Sequence, residues 1–434
     1  MQQVRVGLIG FGTVGSGTAE VLRLQAERLR RKSGAEIRLV RVADLAIEQL
    51  PPEFAEVELT RDAEQVLSGA DIDIVVELIG GIEPAKSFIL KAIASGKHVV
   101  TANKALISQH GREIFAAAAA AGVEVGFEAS VGGGIPVIKA LKEGLVANRI
   151  EEISGIMNGT ANYILNRMTD EGLDFATVLA DAQAHGYAEA DSSYDVEGID
   201  TAHKLVILMS MAYGAHVRLD QVTTEGISRI EPLDIEFARE FGYRIKLLAI
   251  SRNHGDSYEA RVHPTMVPNH ELLANIGGAF NAIQFRGDMV DDVLLYGQGA
   301  GKMPTGSAVV ADIVDIGRNI LHSAVNRVPS LGYLPDSFEE IEITPLARLR
   351  CPYYFRVTVR DKPGVLSAIT GILGRHQISI RSVLQHGRQQ GGVVPVMMRA
   401  YAAEEAAVVA ALAEIDDLEV CAAPTVKIRI MDED

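Results

Sequence analysis

Tryptophan is absent from the 434-residue chain, and cysteine occurs only twice, as Cys351 and Cys421. Two thiols are too few for a disulfide framework or a cysteine-based metal centre. Both lie in the last fifth of the sequence, which excludes a cysteine nucleophile in the main body. Long apolar runs are missing too, since no window approaches the ~18 unbroken apolar residues of a membrane span. The chain enters Val4-Arg5-Val6-Gly7-Leu8-Ile9 almost at once, so a cytoplasmic location is expected. Positive charge is in deficit, with 41 Lys and Arg against 57 Asp and Glu, a net charge of −16. An acidic surface repels nucleic acid and anionic membrane, which leaves small metabolites as the expected partners. The remaining composition, 48% hydrophobic and 23% charged, is that of a soluble protein long enough for two or three domains.

Carboxylates and one lysine converge on Gly186-Tyr187-Ala188-Glu189-Ala190-Asp191, Asp195, and the stretch Gly198 to Leu208. Asp200 and Lys204 stand four apart and share one face of a helix. A solvated ion pair of that spacing contributes only about 0.2–0.5 kcal/mol. Here, however, Ile199, Ala202, Leu205 to Met209, Met211 and Ala212 make the helix apolar nearly all round, the pattern of a buried helix. A lysine entering such a helix needs a partner and a cavity, which points to catalytic or substrate-binding use.

The N-terminal third alternates strands and helices. Val4 to Ile9 reads as a buried strand running into Gly10-Phe11-Gly12-Thr13-Val14-Gly15 and a helical stretch that ends near Lys32-Ser33-Gly34. In that context the first glycine permits a tight turn, the second lets backbone approach a pyrophosphate, and the third lets helix pack on strand. After the second strand, Ile37 to Val42, Asp44 is placed to accept a ribose 2′-hydroxyl of NAD. Arg38 and Arg41 could instead serve the 2′-phosphate of NADP, so cofactor preference stays open. Strands at Ile72 to Val76 and His98 to Val100 follow, with Pro84 opening a helix between them. Thr101 and Lys104 then fall at the carboxyl end of the sheet, facing the nicotinamide half of the cleft; a solvated helix-start lysine is the alternative for Lys104. A strand at Val123 to Phe127 closes the repeats. It leads to Glu128-Ala129-Ser130-Val131-Gly132-Gly133-Gly134-Ile135-Pro136, whose oxygens suit a hard cation, although composition alone favours a hinge.

From Ile150 the pattern becomes α+β, with strands at Glu152 to Met157, Arg244 to Ile250, Ala260 to Val267 and around Ala282 to Arg286. Asn158-Gly159-Thr160 reads as a turn before a helix at Ala161 to Met168. Tyr296 to Gly306 reads as a second glycine-rich loop, ahead of a helix from Ser307 to about Asn319 that could return over the nucleotide sheet with Gly301 near the cofactor. Pro329, Pro335 and Pro345 mark a linker. Beyond it, a βαββαβ order spans strand Tyr353 to Val359, helix Val365 to His376, strands Ile378 to Val383 and Gly392 to Arg399, helix Ala403 to Ile415 and strand Thr425 to Ile430. This last unit offers no catalytic cluster, and a binding or dimerising role is expected.

Taken in order, Gly10 to Gly15, Thr101 to Leu106, Glu128 to Pro136, Gly155 to Leu165, Gly186 to Lys204 and Gly299 to Thr305 resemble homoserine dehydrogenase of the longer, single-function bacterial kind with a C-terminal ACT domain. The resemblance covers essentially the whole chain. It implies an α/β plus α+β multidomain fold: a Rossmann NAD(P)-binding domain at 1–133 completed by a helix at about 302–322, a substrate, catalytic and dimerisation domain at 134–328, a linker at 329–350, and a ferredoxin-like ACT regulatory domain at 351–434. The activity implied is oxidation of L-homoserine to L-aspartate 4-semialdehyde with NAD or NADP, run as aldehyde reduction toward threonine, methionine and isoleucine.

By resemblance Lys204 is the proton donor, Asp200 and Glu189 hold the substrate's amino group, and Lys104 sits at cofactor and substrate, where it can relay a proton. Gly10, Phe11, Gly12, Thr13, Val14, Gly15, Ala43, Thr101, Lys104 and Gly301 line the cofactor. Glu128 with the carbonyls of Val131, Gly133 and Ile135 resembles a sodium site, which overturns the hinge reading. The ACT unit implies feedback by an effector such as threonine, held by Asp361 to Leu366 at a dimer interface; a purely dimerising module is the alternative. A homodimer or homotetramer is expected. Two departures stand out: strand two ends in Arg41-Val42-Ala43-Asp44 without the Val-Arg-Asp of many relatives, and Lys302 and Gly306 replace a small residue and alanine. Among rivals, aspartate-semialdehyde dehydrogenase fails for want of a cysteine before Cys351. A Rossmann dehydrogenase of another amino-acid-like substrate and a catalytically silent ACT-type sensor remain as alternatives.

Overall fold

Aliphatic residues buried on both faces of each strand build the first domain of the computed structural model, which describes residues 2–186, 191–385 and 392–431. In chain order come β1 (Gln3–Ile9), α1 (Thr13–Leu24), α2 (Ala26–Ser33), β2 (Glu36–Ala43), β3 (Glu58–Thr60), α3 (Glu64–Leu67), β4 (Ile74–Glu77), α4 (Ala85–Ala94), β5 (His98–Thr101), α5 (Lys104–Ala121) and β6 (Val125–Gly126). The strands pair in parallel in the order β3-β2-β1-β4-β5-β6, the dinucleotide-binding arrangement. Ile9, Val75 and Val99 face α4 and α5, whereas Val4, Val6, Leu8 and Val76 face α1. Two faces covered by helices account for the near-continuous apolar runs of a parallel sheet.

The expected single helix through Lys32 is divided at Gln25. Because α2 buries only Ser33, packing does not hold it on the axis of α1.

A turn at 128–130 and the short helix α6 (Val137–Lys139) lead into the second domain. It contains β7 (Ile150–Ile156), α7 (Gly159–Glu171), α8 (Phe175–Ala184), α9 (Ser193–Val196), α10 (Ile199–Tyr213), β8 (Ala215–His216), β9 (Thr223–Thr224), α11 (Pro232–Glu240), β10 (Tyr243–Asn253), β11 (Tyr258–Pro268), β12 (Phe280–Gly287) and β13 (Asp291–Gln298). Strand β13 is a correction: Tyr296 to Gln298, expected to begin a loop, finish a hairpin with β12. The exposed acids Asp291 and Asp292 at its start hide the strand pattern in sequence.

The chain then returns to the first domain through α12 (Lys302–Leu321), which begins five residues before the expected Ser307. Gly301 caps it, and Pro304 occupies the first turn, where a missing amide costs nothing. Ala308, Val309, Val310 and Ile313 join the same cluster as Val4 and Val6, so this helix does cover the nucleotide sheet. Its backbone meets that of α1 directly. A Cβ on Gly17 would lie 2.2 Å from the Lys302 carbonyl oxygen, and one on Gly306 would lie 2.7 Å from the Gly17 carbonyl carbon. Lys302 pairs with Glu20 at 2.7 Å.

Residues 329–350 are not a free tether. β14 (Glu339–Glu340) pairs with β8, and Ile343 bridges to Tyr258. The last unit comprises β15 (Arg350–Arg360), α13 (Val365–Arg375), β16 (Ile380–Leu384), β17 (Val393–Glu404), α14 (Glu405–Asp416) and β18 (Cys421–Ile430). Its strand order is β18-β15-β17-β16, as a ferredoxin-like unit requires.

The unit is also joined to its neighbour. β18 runs parallel to β11, with Thr265 opposite Arg429 and Met266 opposite Ile430. The strands of both domains thus form one sheet, β13-β12-β7-β10-β11-β18-β15-β17-β16. The edge of β11 that β10 leaves free is covered by β9 at Arg261 and Val262 and by β18 further along, as an unpaired edge demands.

Candidate active site

Helix α10 is the centre of the site. Gly198 starts it in the left-handed region at φ +80°, and buried residues occupy nearly every position after Ile199. Asp200 is 3% exposed and Lys204 7%, so the pair is not a surface ion pair. Lys204 Nζ donates to Asp200 Oδ2 at 2.6 Å and to the Met157 carbonyl at 2.5 Å. Lys104, the first residue of α5 beyond the carboxyl end of β5, reaches Asp200 Oδ1 at 2.8 Å. One carboxylate therefore joins a lysine of the nucleotide domain to a lysine of the substrate domain.

Residues that sequence reasoning left aside hold this arrangement. Asn158 Nδ2 donates to Asp195 Oδ1 at 2.7 Å and to Asp200 Oδ2 at 2.9 Å, while its Oδ1 accepts the Ala161 amide at 2.8 Å. The sequence pattern makes Asn158 a turn residue, and its place just before a helix is the further signal, because asparagine is a preferred N-cap. His203 Nδ1 lies 2.5 Å from Ser108 Oγ on α5, and its ring stacks on Tyr194 at 5.7 Å. That contact locks α5 against α10, and with it the spacing of Lys104 and Asp200. Glu189 lies outside the described residues.

Charge follows from this geometry. Burial alone would raise the Asp200 carboxyl, but the Lys204 and Lys104 ammonium groups outweigh it and hold the acid well below its usual range. Burial pushes the Lys204 ammonium down, with Asp200 pulling the other way and Lys104 adding to the fall. The Asp195 carboxyl is raised by burial, against its hydrogen bond from Asn158.

The glycine loop lies at the carboxyl end of the parallel sheet. Gly10 has φ +93° and its amide donates to the Ala43 carbonyl at 2.9 Å, while the Phe11 amide donates to Asp44 Oδ2 at 2.6 Å. A Cβ on Gly15 would lie 2.0 Å from the Gly10 oxygen, so that glycine is required for packing. By contrast nothing lies within 4 Å of a Cβ built on Gly12. That open position, at the start of a helix with no acid in its first turn, suits a pyrophosphate. Thr13 and Val14 begin α1. At the other end Thr101 Oγ1 donates to the buried Glu77 carboxylate at 2.7 Å and accepts the Asn103 amide.

Arg38 and Arg41 are both committed elsewhere. Arg38 pairs with Glu56, and Arg41 pairs with Glu58 and Asp71.

Glu128 is buried, and its two oxygens accept the amides of Ile138 and Lys139 at 2.8 and 2.9 Å. The neighbouring Asp312 carboxyl, which accepts the Glu128 amide at 2.8 Å, is pushed up to about 7 by loss of water and then by the Glu128 charge. These two acids and the backbone carbonyls of Val131, Gly133 and Ile135 in the adjoining loop are oxygens of the kind a hard cation takes, and the Ile135 carbonyl also accepts the Val137 amide at 2.8 Å. Among the described residues no cluster of three or more His, Cys, Asp or Glu could hold a metal. A Cβ on Gly133 would lie 2.3 Å from the Gly299 carbonyl oxygen, which brings this loop against the one carrying Gly301. Among the described residues no helix is long and apolar enough to cross a membrane.

Comparison with known proteins agrees with this organisation. Residues 136–314 match the family model for homoserine dehydrogenase, residues 10–128 that for the homoserine dehydrogenase NAD binding domain, and residues 353–420 that for the ACT domain. The chain is 46% identical over 433 residues to a homoserine dehydrogenase of Pseudomonas aeruginosa and 44% identical over 430 residues to one of Neisseria gonorrhoeae; each alignment covers 99% of both chains. Among solved structures, a homoserine dehydrogenase from Thiobacillus denitrificans is 48% identical with a TM-score of 0.94, covering 100% of this chain and 99% of that one.

Replacing Asp200 with alanine leaves Lys204 buried without its counter-ion. Asp200→Ala is expected to lose about 3 kcal/mol of stability at neutral pH. A lysine whose folded pKa lies below its unfolded one costs most at low pH, and stability returns as pH rises through the folded pKa toward the unfolded value. The deficit should therefore shrink as pH is raised from neutral toward about 10, the ordinary lysine value. Urea unfolding across that range checks it; a deficit that stays constant contradicts the assignment.

Proposed function

The chain belongs to the homoserine dehydrogenase family, and we propose that the cluster of Lys204, Asp200 and Lys104 is where it interconverts L-homoserine and L-aspartate 4-semialdehyde. The reaction is L-homoserine + NAD(P)+ = L-aspartate 4-semialdehyde + NAD(P)H + H+. The observation that carries the reading is one buried carboxylate shared by two lysines, one from each side of the domain boundary. The chemistry that NAD(P) would supply, held by the glycine loop, is hydride transfer at the oxygen-bearing carbon. All else falls to the protein's own side chains.

In the reducing direction the aldehyde oxygen gains negative charge, and the Lys204 ammonium stabilises that charge and delivers the proton. Burial lowers its pKa, which makes it a better acid than a solvated lysine. Asp200 and the Met157 carbonyl fix its direction. The family resemblance assigns Asp200 and Glu189 to the substrate's amino group. Asp200 Oδ2 already takes Lys204 and Asn158, so an incoming ammonium would approach Oδ1, beside Lys104. The Lys104 side chain, 35% exposed against 9% for the side chain of Lys204, is the one with room to move, which suits a relay role beside the cofactor.

Gly10, Phe11, Gly12, Thr13, Val14 and Gly15, with Ala43, Thr101 and Gly301, would line the dinucleotide. Partial burial pulls the Asp44 carboxyl up, but the amides of Phe11, Ala46 and Ile47 together hold it below its usual range. Its negative charge at the end of β2, with Arg38 and Arg41 already paired, favours the ribose hydroxyls of NAD over the phosphate of NADP. Glu128, with the carbonyls of Val131, Gly133 and Ile135, would hold a sodium ion that ties the nucleotide domain to the Gly299–Gly301 loop. An ACT-bound effector such as threonine would modulate turnover.

Lys204→Ala is expected to lower kcat about 10²–10⁴-fold with little change in cofactor Kd; unchanged turnover in a steady-state assay with homoserine refutes the assignment. In that assay kcat/KM for NAD should exceed that for NADP by about an order of magnitude, as ~1.4 kcal/mol of charge repulsion gives, and a preference for NADP contradicts the Asp44 reading. Replacing sodium by choline at constant ionic strength should reduce activity, reversibly on adding sodium back; indifference to the swap argues against the cation site.

A further inference from the structure

The turn bearing the site's carboxylates rests on a neighbouring segment. A Cβ on Gly198 would lie 2.9 Å from Val262 Cγ1 and 3.1 Å from Thr224 Cγ2. One on Gly226 would lie 2.2 Å from Glu197 Oε2, and the Ile227 amide donates to the Val196 carbonyl at 2.9 Å. Asp195 precedes these contacts in sequence and Asp200 follows them. Residues Thr224 to Ile227 are thus the bed of the acid-bearing turn, and a shift of the bed moves both acids.

Two elements hold this bed. On one side β9 pairs with β11, and the Glu225 amide donates to the Val262 carbonyl at 2.8 Å. On the other, Arg429 of β18 grips the Glu225 side chain with both terminal nitrogens, at 2.9 and 2.8 Å. The guanidinium is itself immobilised. It is 3% exposed, and its Nε and Nη2 also donate to Glu405 at 2.9 and 2.7 Å. Glu405 in turn accepts from Tyr353 Oη at 2.7 Å and pairs with Lys427. A buried planar fork with its orientation fixed is well suited to ordering a carboxylate on a loop. Glu225, 39% exposed, is such a carboxylate.

We propose that Arg429, supplied by the ACT domain, is a positioning residue for the homoserine site: through Glu225 it fixes the segment on which the turn carrying Asp195 and Asp200 rests. The proposal rests on the reading of that cluster as the substrate site. Neither Arg429 nor Glu225 touches the reacting atoms. Their effect is on where the acids stand, and displacement of about 1 Å in such a site can change rates 10²-fold.

Glu225→Ala in the full chain tests this. Arg429 keeps Glu405 and the ACT core is untouched, so the fold is expected to survive. The expected result is a KM for homoserine raised about tenfold, with the KM for the nicotinamide cofactor and Tm nearly unchanged. Arg429→Lys, which keeps the charge but loses the fork, should fall between wild type and Glu225→Ala. A merely structural role would lower Tm and affect both substrates alike. If Glu225→Ala folds and its homoserine KM equals that of wild type, the proposal is overturned. Should Glu225→Ala fail to fold, the isosteric Glu225→Gln carries the test under the same criteria. Failure of the underlying reading is distinguishable, because the wild type itself would then show no homoserine-dependent reduction of NAD(P).

Discussion

The Asp200 carboxylate, nearly dry and shared by two ammonium groups, is the interaction on which the rest of the site depends. Moving such charges out of water costs several kcal/mol per ion, and pairing repays this only when the remaining donors and acceptors are also satisfied. The surroundings meet that condition. The Met157 carbonyl takes a second proton of Lys204, and the Asn158 amide supplies Asp200 with a further donor. Removing any one of these leaves a charge for which the apolar helix around it has no compensation.

A cluster shared between two domains needs a fixed distance between them, and much of the fold serves that end. β5 delivers Lys104 at the carboxyl end of the parallel sheet, where an open α/β sheet binds its ligand. Ser108 and His203 hold the helix that follows against α10. On the far side α12 returns to cover the nucleotide sheet, packed backbone to backbone on α1 at Gly17 and Gly306. The chain thus crosses between domains three times, at residues 128–137, 298–302 and 322–339, and the first two crossings touch at Gly133 and Gly299. Domain spacing is set by packed glycines and one histidine bridge, which leaves little freedom for the lysines to drift apart.

Local patterns made much of this legible in the sequence, and long-range pairing accounts for what was not. Gly10, Gly12 and Gly15 announce their turn through spacing alone, and Asp200 with Lys204 stands out because everything around the pair is apolar. The βαββαβ order of the last unit could be read from alternation and turn residues. Three features escaped. Strand β13 opens with two exposed acids and carries Gly297 before its last residue, which resembles a loop when its partner strand is unknown. Asn158 serves residues 37 and 42 positions away, and no local periodicity marks such a role. The junction between β11 and β18 involves residues more than 160 positions apart, so a proline-rich intervening segment looked like a tether to an independent module.

That junction changes the physics open to the ACT domain. A module on a flexible tether is free to part from its neighbour, because few contacts cross such a boundary. Here parting would break backbone pairing and expose several buried charges at once. Asp234, 0% exposed, receives Arg356 at 2.7 Å and the Tyr354 hydroxyl at 3.3 Å from β15. Arg429 bridges Glu405 to Glu225, and the Arg399 guanidinium lies 4.7 Å from the centre of the Phe241 ring. Water would resolvate those charges, but Tyr354, Met397, Ile428 and Ile430 share one core cluster with Tyr243, Ile245 and Met266, and parting would expose that apolar surface as well. Wholesale detachment is therefore disfavoured as a working motion. Packed interfaces of this kind change by small shifts between discrete arrangements. In a sheet that runs unbroken from β16 to β13, a twist begun among the ACT strands reaches β11 through hydrogen bonds rather than across a gap.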